Sequence, residues 1–444
     1  MVRLIVVFIA ALCAAVSSSY GQERIAIANT ELTPIAITGS AGNRINVAFM
    51  SEGYGNSKAQ FIADANLTHS GLFDIEPIKN YKAYFNFASV WADYADAKLA
   101  FSDALDVGDL SDQLVGRYFP KERSIALVSV NSSVKGGGSG GGQGYLIGSA
   151  ALYGSFVDQP ARLSPGADIG YVRAFAHEFG HGFIYSGEEF VGKNISLGDR
   201  EPRDGEIGYV NTTMGTSRDK IRWKHWIDPG TPIPTPNDSA YKDVVGLFPG
   251  AAGRSSGWYR PALTCIMRST SQPFCTVCRE AIVKQIYKYV TPIDSSWVNV
   301  GETVTIFNIK LINPEPNTLA VSWQIDGVEY DYASRANSFR VSEDLLPYGA
   351  HTVKVVVRDT TSFVRDDPQN LLVKTMEWPV VNSPKPDFNR DGAVNMADFF
   401  LFADAFGEKS VARSAFEKFD LDLNGAIGFP DFFLFADAFT SASK

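Results

Sequence analysis

Nine residues near the C-terminus occur twice without change: Asp398-Phe-Phe-Leu-Phe-Ala-Asp-Ala-Phe406 returns as Asp431 to Phe439, 33 residues later. An identical repeat at that distance requires two copies of one supersecondary unit, each too small to bury its apolar face alone. Each copy follows an oxygen-rich loop. The first is Asp387-x-Asn389-x-Asp391-Gly392-Ala393-x-Asn395-x-x-Asp398, and the second is Asp420-x-Asp422-x-Asn424-Gly425-Ala426-x-Gly428-x-x-Asp431. A calcium loop needs side-chain oxygens at positions 1, 3, 5 and 12, a backbone carbonyl at 7, and glycine at 6 for the sharp turn. Both loops meet these terms, with Ala393 and Ala426 at position 7, and two structural Ca²⁺ ions are expected. Position 9 is Asn395 in one loop and Gly428 in the other, where a water can serve. Position 12 is Asp where an EF-hand carries Glu.

One helix follows each loop and none enters the first. This duplicated loop–helix unit resembles a type I dockerin module over residues 385–444. The resemblance implies a small α-helical calcium-binding module and a cohesin-like or cell-surface partner, with use as an intramolecular cap as the alternative. Twelve of the 30 phenylalanines lie between Phe388 and Phe439. They read as the core of the paired helices, or in part as a face shown to a partner.

The remaining organisation follows from composition. The chain has 444 residues, 45% of them apolar, and a net charge of −9. This is globular composition, and the acidic balance argues against a nucleic-acid protein. Arg3 followed by the apolar run Leu4–Val16 reads as a signal peptide cleaved after Gly21, so residues 1–21 imply a secreted or cell-surface-attached protein without a membrane span. Residues 22–290 read as a mixed α/β domain. Strands are expected at Arg44–Met50 and Ser124–Val130, helices at Lys58–Phe73 and Asp168–Ile184 with Asp168 as N-cap, and a flexible loop beside a cleft at the glycine run 136–142. Residues 291–382 alternate and carry turn signals such as Asp326-Gly327, as an antiparallel sandwich of immunoglobulin type does. A proline-containing linker then leads to residues 383–444.

Only five histidines are present: His69, His177, His181, His225 and His351. Two of them form His177-Glu178-Phe179-Gly180-His181, an H-E-x-x-H pattern on the expected helix. Spacing of i, i+4 stacks both imidazoles on one helix face, where they can share one Zn²⁺, and Glu178 projects beside them as a general base. A catalytic zinc needs a third protein ligand. Gly187 can end the helix and turn the chain, and Glu188 and Glu189 follow at once, with Glu188 favoured. His225, between Trp223 and Trp226, is the competing ligand and is expected to pack between those rings instead. His69 reads as surface, and His351 as a structural residue opening a strand. Once a signal peptide is removed, Cys265, Cys275 and Cys278 remain. The reading is one disulfide, with Cys265 paired to either member of the C-x-x-C, and one free thiol; no fourth ligand for a zinc knuckle is evident nearby.

The segment His177-Glu-Phe-Gly-His181 followed by Glu188-Glu189-Phe190 resembles the bacterial IgA-peptidase family of zinc metalloendopeptidases. Asn43–Tyr54, Tyr81–Trp91 with its Phe-Asn-Phe, the glycine run, Tyr259-Arg260-Pro261 and Cys265–Arg268 extend the likeness over about 30–290. The resemblance implies a zincin-like α/β domain with His177 and His181 as zinc ligands and Glu178 as base. The family's acidic pair falls on Glu188 and Glu189, although Glu stands where the first is usually Asp and Phe190 where Tyr is usual. It further implies Tyr259 as a candidate oxyanion stabiliser and Met267 as a candidate Met-turn beneath the metal. The expected function is a secreted zinc metalloendopeptidase that hydrolyses a protein or glycoprotein substrate through a zinc-activated water. A scaffold-bound adhesion protein with a structural metal site, or a glycan-active hydrolase, are the alternatives.

Overall fold

A computed structural model of the protein describes residues 30–442 apart from 53, 93–113, 131–135, 142–147, 154–168, 193–207, 302–303, 331–335, 343–344, 347, 383 and 411–413. The signal segment read at 1–21, the N-cap read at Asp168 and the last glycine of the 136–142 run lie outside these residues.

Six strands open the chain: β1 (Thr30–Ala36), β2 (Ile45–Glu52), β3 (Phe85–Ala92), β4 (Ser124–Val130), β5 (Gly136–Gly141) and β6 (Gly148–Tyr153). They form one sheet of order β1-β3-β2-β4-β6-β5. The four inner strands are parallel and the two edge strands antiparallel to their neighbours. β2 is buried throughout because both faces of the sheet are covered. Ile45, Val47 and Phe49 enter the main core with Phe61, Phe175 and Phe179, whereas Ala48 and Met50 enter a second cluster with Leu114, Val115 and Val128. The alternation of side chains along a strand produces this division.

Helices α1 (Lys58–Leu72) and α2 (Ile169–Ile184) pack on the main-core face; the rings of Phe61 and Phe175 each stand 5.5 Å from that of Phe49. The glycine run forms edge strand β5 rather than the expected flexible loop. With glycine at every position but Ser139, it pairs with β6 and lies against α2. A hairpin of β7 (Phe248–Ala251) and β8 (Arg254–Arg260) follows, then α3 (Thr276–Tyr289), which packs on α2.

The next segment is all antiparallel. β9 (Ile293–Val300), β10 (Val304–Leu311) and β13 (Ser338–Ser342) make a three-stranded sheet. β11 (Leu319–Ile325), β12 (Val328–Glu329), β14 (Gly349–Asp359) and β15 (Val373–Asn382) make a four-stranded one. Both contribute to one core around Trp323, whose ring stacks with Phe339 and Trp378. This segment is tied to the α/β segment by buried polar contacts: the hydroxyls of Tyr81 and Tyr287 donate to Asp359 at 2.6 and 2.7 Å, and that of Tyr84 to the Ile312 carbonyl at 2.6 Å.

The duplicated segment supplies α4 (Met396–Ala405) and α5 (Phe429–Ala442). The equivalent phenylalanines Phe402 and Phe435 stack at 5.9 Å with planes 6° apart, over Phe388, Phe419 and Ile427. Phe400 and Phe433, the equivalent pair two residues earlier, are exposed instead. Among the described residues no helix is long and apolar enough to cross a membrane.

Candidate metal centre

His177 and His181 project from adjacent turns of α2 with their Nε2 atoms 3.1 Å apart. Nδ1 of His177 lies 2.9 Å from the carbonyl oxygen of Ile266, and Nδ1 of His181 lies 2.6 Å from that of Ser186. A carbonyl only accepts, so in each neutral ring Nδ1 carries the proton and Nε2 presents a lone pair. Two lone pairs at 3.1 Å repel unless a cation lies between them. Glu188 faces the same point, its Oε1 3.2 Å from His181 Nε2 and its Oε2 3.4 Å from His177 Nε2. A tetrahedral ion with bonds of about 2.0–2.1 Å separates its ligand atoms by about 3.3–3.4 Å, so this cluster has the dimensions and the donor set to hold one metal ion. The groups also act on one another electrostatically. Burial opposes protonation of His177, but Glu188 outweighs it and the ring titrates above its ordinary range. The two histidines likewise outweigh the burial of Glu188 and hold its carboxyl down at about 2.

Delivery of Glu188 depends on how α2 ends. The helix stops at Ile184, and Tyr185 adopts a left-handed conformation with φ 55°. Gly187, expected to end the helix, is instead the first anchor of the segment that follows. Its N–H donates to Asn211 Oδ1 at 2.7 Å, and Asn211 Nδ2 donates to the Gly187 carbonyl and to Glu189 Oε1 at 2.9 and 2.8 Å. The Glu188 and Phe190 carbonyls then bond to Ala252 and Gly253, while the Glu189 N–H donates to Met267 on the other side. This is extended backbone held on both flanks, so consecutive side chains point opposite ways. Glu188 reaches the histidines. Glu189 does not: it is fully buried beside Cys265, Cys275 and Cys278, and burial pushes its carboxyl well above the ordinary range, with the charge of Cys275 adding to the effect.

The other expected residues are distributed as follows. Glu178 is partly buried beside His177, and its charge reaches that ring. Met267 is fully buried against α2, its sulfur accepting from Ser186 Oγ at 3.4 Å. Tyr259 lies in β8, partly buried at the margin of the main core, and its hydroxyl makes no hydrogen bond among the described residues. His225 stands apart from the cluster. It is not sandwiched between tryptophans but pairs with Glu280 at 2.6 Å, and Trp226 Nε1 donates to the same oxygen at 2.8 Å. His69 is half-buried rather than fully on the surface, its ring 4.8 Å from Phe73 and 5.2 Å from Phe87. His351 opens β14 and pairs with Asp326 at 2.6 Å. The expected disulfide is absent: all three cysteines are free thiols, and Cys265 and Cys278 sulfurs are 3.8 Å apart, against about 2.05 Å for a bond. Sequence reasoning missed Ile266, Ser186 and Asn211. The first two act through backbone carbonyls, which leave no mark in side-chain chemistry, and the third lies outside any spaced motif.

The two C-terminal loops have matching internal bonds. Asp387 accepts from the Asp391 and Gly392 N–H groups, and Asp420 from those of Asn424 and Gly425. Asp398 accepts from Asn389 and Asn395, and Asp431 from Asp422 and Gly428. Gly392 and Gly425 have φ of 89° and 88°, the left-handed turn reserved for glycine. Asp420, Asp422 and Asp431 bring carboxylate oxygens within 4.8 Å of one another. Asn389 and Asn424 flank the same turns, their amides donating to Asp391 and Asp422 at 2.9 and 2.7 Å. The Ala426 backbone bridges to Lys409, and the Ala393 carbonyl accepts from Asn395. Asn395, at position 9 of the first loop, also caps the helix that follows. Its side-chain oxygen accepts from Ala397 N–H at 2.7 Å, because an asparagine ahead of a helix satisfies an otherwise orphaned donor.

A family model described as IgA Peptidase M64 matches residues 237–286 of the chain. This stretch contains Tyr259, Cys265–Met267 and the C-x-x-C, and ends within α3. It supports an IgA-peptidase-like relationship and a metallopeptidase. No curated protein matches the chain.

Proposed function

We propose that the chain is a secreted zinc metalloendopeptidase acting on protein or glycoprotein substrates, with His177, His181 and Glu188 as metal ligands and Glu178 as general base. The observation that carries this reading is the meeting of two imidazole lone pairs and a carboxylate at one point, with both Nδ1 atoms locked to carbonyls. Three neutral or anionic donors on a helix and the segment after it are what a zincin-type centre requires. Bound there, zinc supplies Lewis acidity to a water molecule and to the scissile carbonyl.

The chain's own groups supply the rest. Ile266 and Ser186 fix the tautomer and the plane of each imidazole. Glu188 supplies negative charge that keeps the cluster electrostatically matched to a divalent cation. Glu178, one residue past His177, takes the proton of the attacking water and passes it to the departing amine, so the nitrogen leaves neutral. Among the described residues strand β5 has a strand neighbour on one side only, and an extended peptide can pair with its other side in the manner of an added strand. Tyr259 is assigned the developing oxyanion.

The duplicated loops are read as two calcium sites of a dockerin-like module, Asp387, Asn389, Asp391, Ala393 and Asp398 in one and Asp420, Asp422, Asn424, Ala426 and Asp431 in the other. Their support is the spacing, the left-handed glycines and the convergence of carboxylates in the second loop. Such a module would attach the enzyme to a cohesin-like or cell-surface partner.

The test is cleavage-site profiling of a denatured proteome by the full chain, with and without a chelator, beside the Glu178→Ala variant. Chelator-sensitive cleavage that disappears in Glu178→Ala at unchanged zinc content is expected. Cleavage by that variant at the wild-type rate sinks the proposal.

A further inference from the structure

The catalytic reading leaves one group of metal-binding side chains unused. Cys265, Cys275, Cys278 and Glu189 present one ligand atom each within 4.8 Å of one another, and all four are buried. They come from three separate pieces of chain: the segment after Glu188, the loop ahead of Met267, and the first turn of α3.

We propose that these four residues form a second, closed site for a divalent ion of the zinc class, structural rather than catalytic. The geometry is that of a tetrahedron. Zinc–sulfur bonds of about 2.3 Å place sulfurs about 3.8 Å apart, and Cys265 and Cys278 sulfurs are separated by 3.8 Å. Cys275 sulfur lies 3.9 Å from Glu189 Oε1, slightly wider than the roughly 3.5 Å that zinc–sulfur and zinc–oxygen bonds would give. Glu189 Oε2 is buried with no hydrogen-bond partner, although an orphaned buried carboxylate oxygen is costly. A cation at the centre of the cluster satisfies it.

The surroundings suit thiolates. Cys275 is the N-cap residue of α3 and Cys278 lies in its first turn, where the helix dipole favours negative charge. The Cys275 N–H donates to Cys265 sulfur at 3.4 Å. Three thiolates select a soft or borderline ion over calcium or magnesium, and the single oxygen with tetrahedral spacing favours divalent zinc. In an oxidising compartment a bound ion also keeps these thiols from pairing.

The position gives the site its consequence. Cys265 precedes Ile266, whose carbonyl orients His177, and Glu189 follows Glu188, with its N–H on the Met267 carbonyl. An ion held here ties together the two chain segments that shape the first cluster. The inference does not depend on hydrolysis.

The experiment is zinc analysis of the full chain, purified with excess calcium, as wild type and as His177→Ala/His181→Ala. The double variant should keep about one zinc per chain. Its cobalt-exchanged form should show thiolate-to-cobalt charge-transfer absorption that Cys278→Ser abolishes. A zinc-free double variant overturns the proposal, as does a disulfide among the three cysteines in non-reduced peptide maps of the zinc-replete protein. The double variant decides alone if Cys278→Ser does not fold. An inactive wild type that still shows the thiolate band would sink the peptidase reading and leave this site standing.

Discussion

A β-carbon placed on Gly180 would lie 2.8 Å from the sulfur of Met267. The glycine between the two histidines therefore sets how closely α2 approaches the Cys265–Met267 segment, and with it the distance from His177 to the Ile266 carbonyl. Phe274 closes the same space at 3.1 Å. Gly180→Ala must displace the buried Met267 side chain or push helix and segment apart, and overpacking of this kind costs about 1–3 kcal/mol. We expect a lower unfolding temperature and zinc affinity reduced by about 10–100-fold, as when an outer-shell partner is lost. Competition against a fluorescent chelator measures the second effect; unchanged affinity would refute the link.

Glu188 and Glu189 are neighbours with separate destinations. Glu188→Gln should cost the histidine cluster more than the roughly 10–100-fold in metal affinity that an outer-shell loss costs, while leaving thiolate coordination intact. Activity and zinc content measured together check this, and a fully active Glu188→Gln would return the ligand role to another residue.

The metal-free protein should depend on pH through the His177–Glu188 contact. His177 titrates above its unfolded value of 6.5, so its contribution is present below that value and lost as pH rises through the raised one. Glu188 falls from 4.5 to about 2, so its contribution is present above 4.5 and lost as pH falls toward 2. Metal-free wild type should therefore exceed metal-free Glu188→Gln in stability most clearly between those two unfolded values. Zinc uptake in that window must also displace the His177 proton, visible as buffer-dependent heat in calorimetry. Equal stability of the two proteins across the window would contradict the pairing.

Glu52 ends β2 with one carboxylate oxygen buried and unpartnered, and burial pushes its pKa up to about 8. The unfolded chain ionises near 4.5 while the folded one stays protonated, so this residue destabilises the fold increasingly from 4.5 to about 8. Glu52→Gln should raise the unfolding temperature at alkaline pH and leave it unchanged at about pH 4. A thermal scan at the two pH values decides.

Removal of calcium should loosen residues 384–444 ahead of the rest. Gly425→Ala, which forces an alanine into φ 88°, adds roughly 1–2 kcal/mol of strain. It should weaken calcium binding at the second loop without touching peptidase activity. Calcium titration of the full chain before and after the substitution is the measurement, and absence of any calcium heat in the wild type would remove the loops from consideration.

Much of the architecture was legible because its signals are local. The apolar run of β2, the alternation in β11 and β14, and the 33-residue repeat each fix an element from neighbouring residues. The glycine run reads as a loop because nothing local shows that a glycine-rich segment has a strand beside it and a helix over it. His69 and His225 were misplaced for the same reason: Phe87 and Glu280 are distant in sequence.

The sequence by itself determined that His177 and His181 share a helix face, since i, i+4 spacing is a property of the helix, and that two acidic residues follow within reach. It also set the duplicated pattern of side-chain oxygens and turn glycines in the two C-terminal loops. Only the tertiary structure decided which glutamate meets the histidines. Asn211, Ala252 and Met267 hold the segment extended from both flanks, and an extended chain sends adjacent side chains to opposite sides. The same alternation that gives Glu188 to the imidazoles gives Glu189 to the three cysteines.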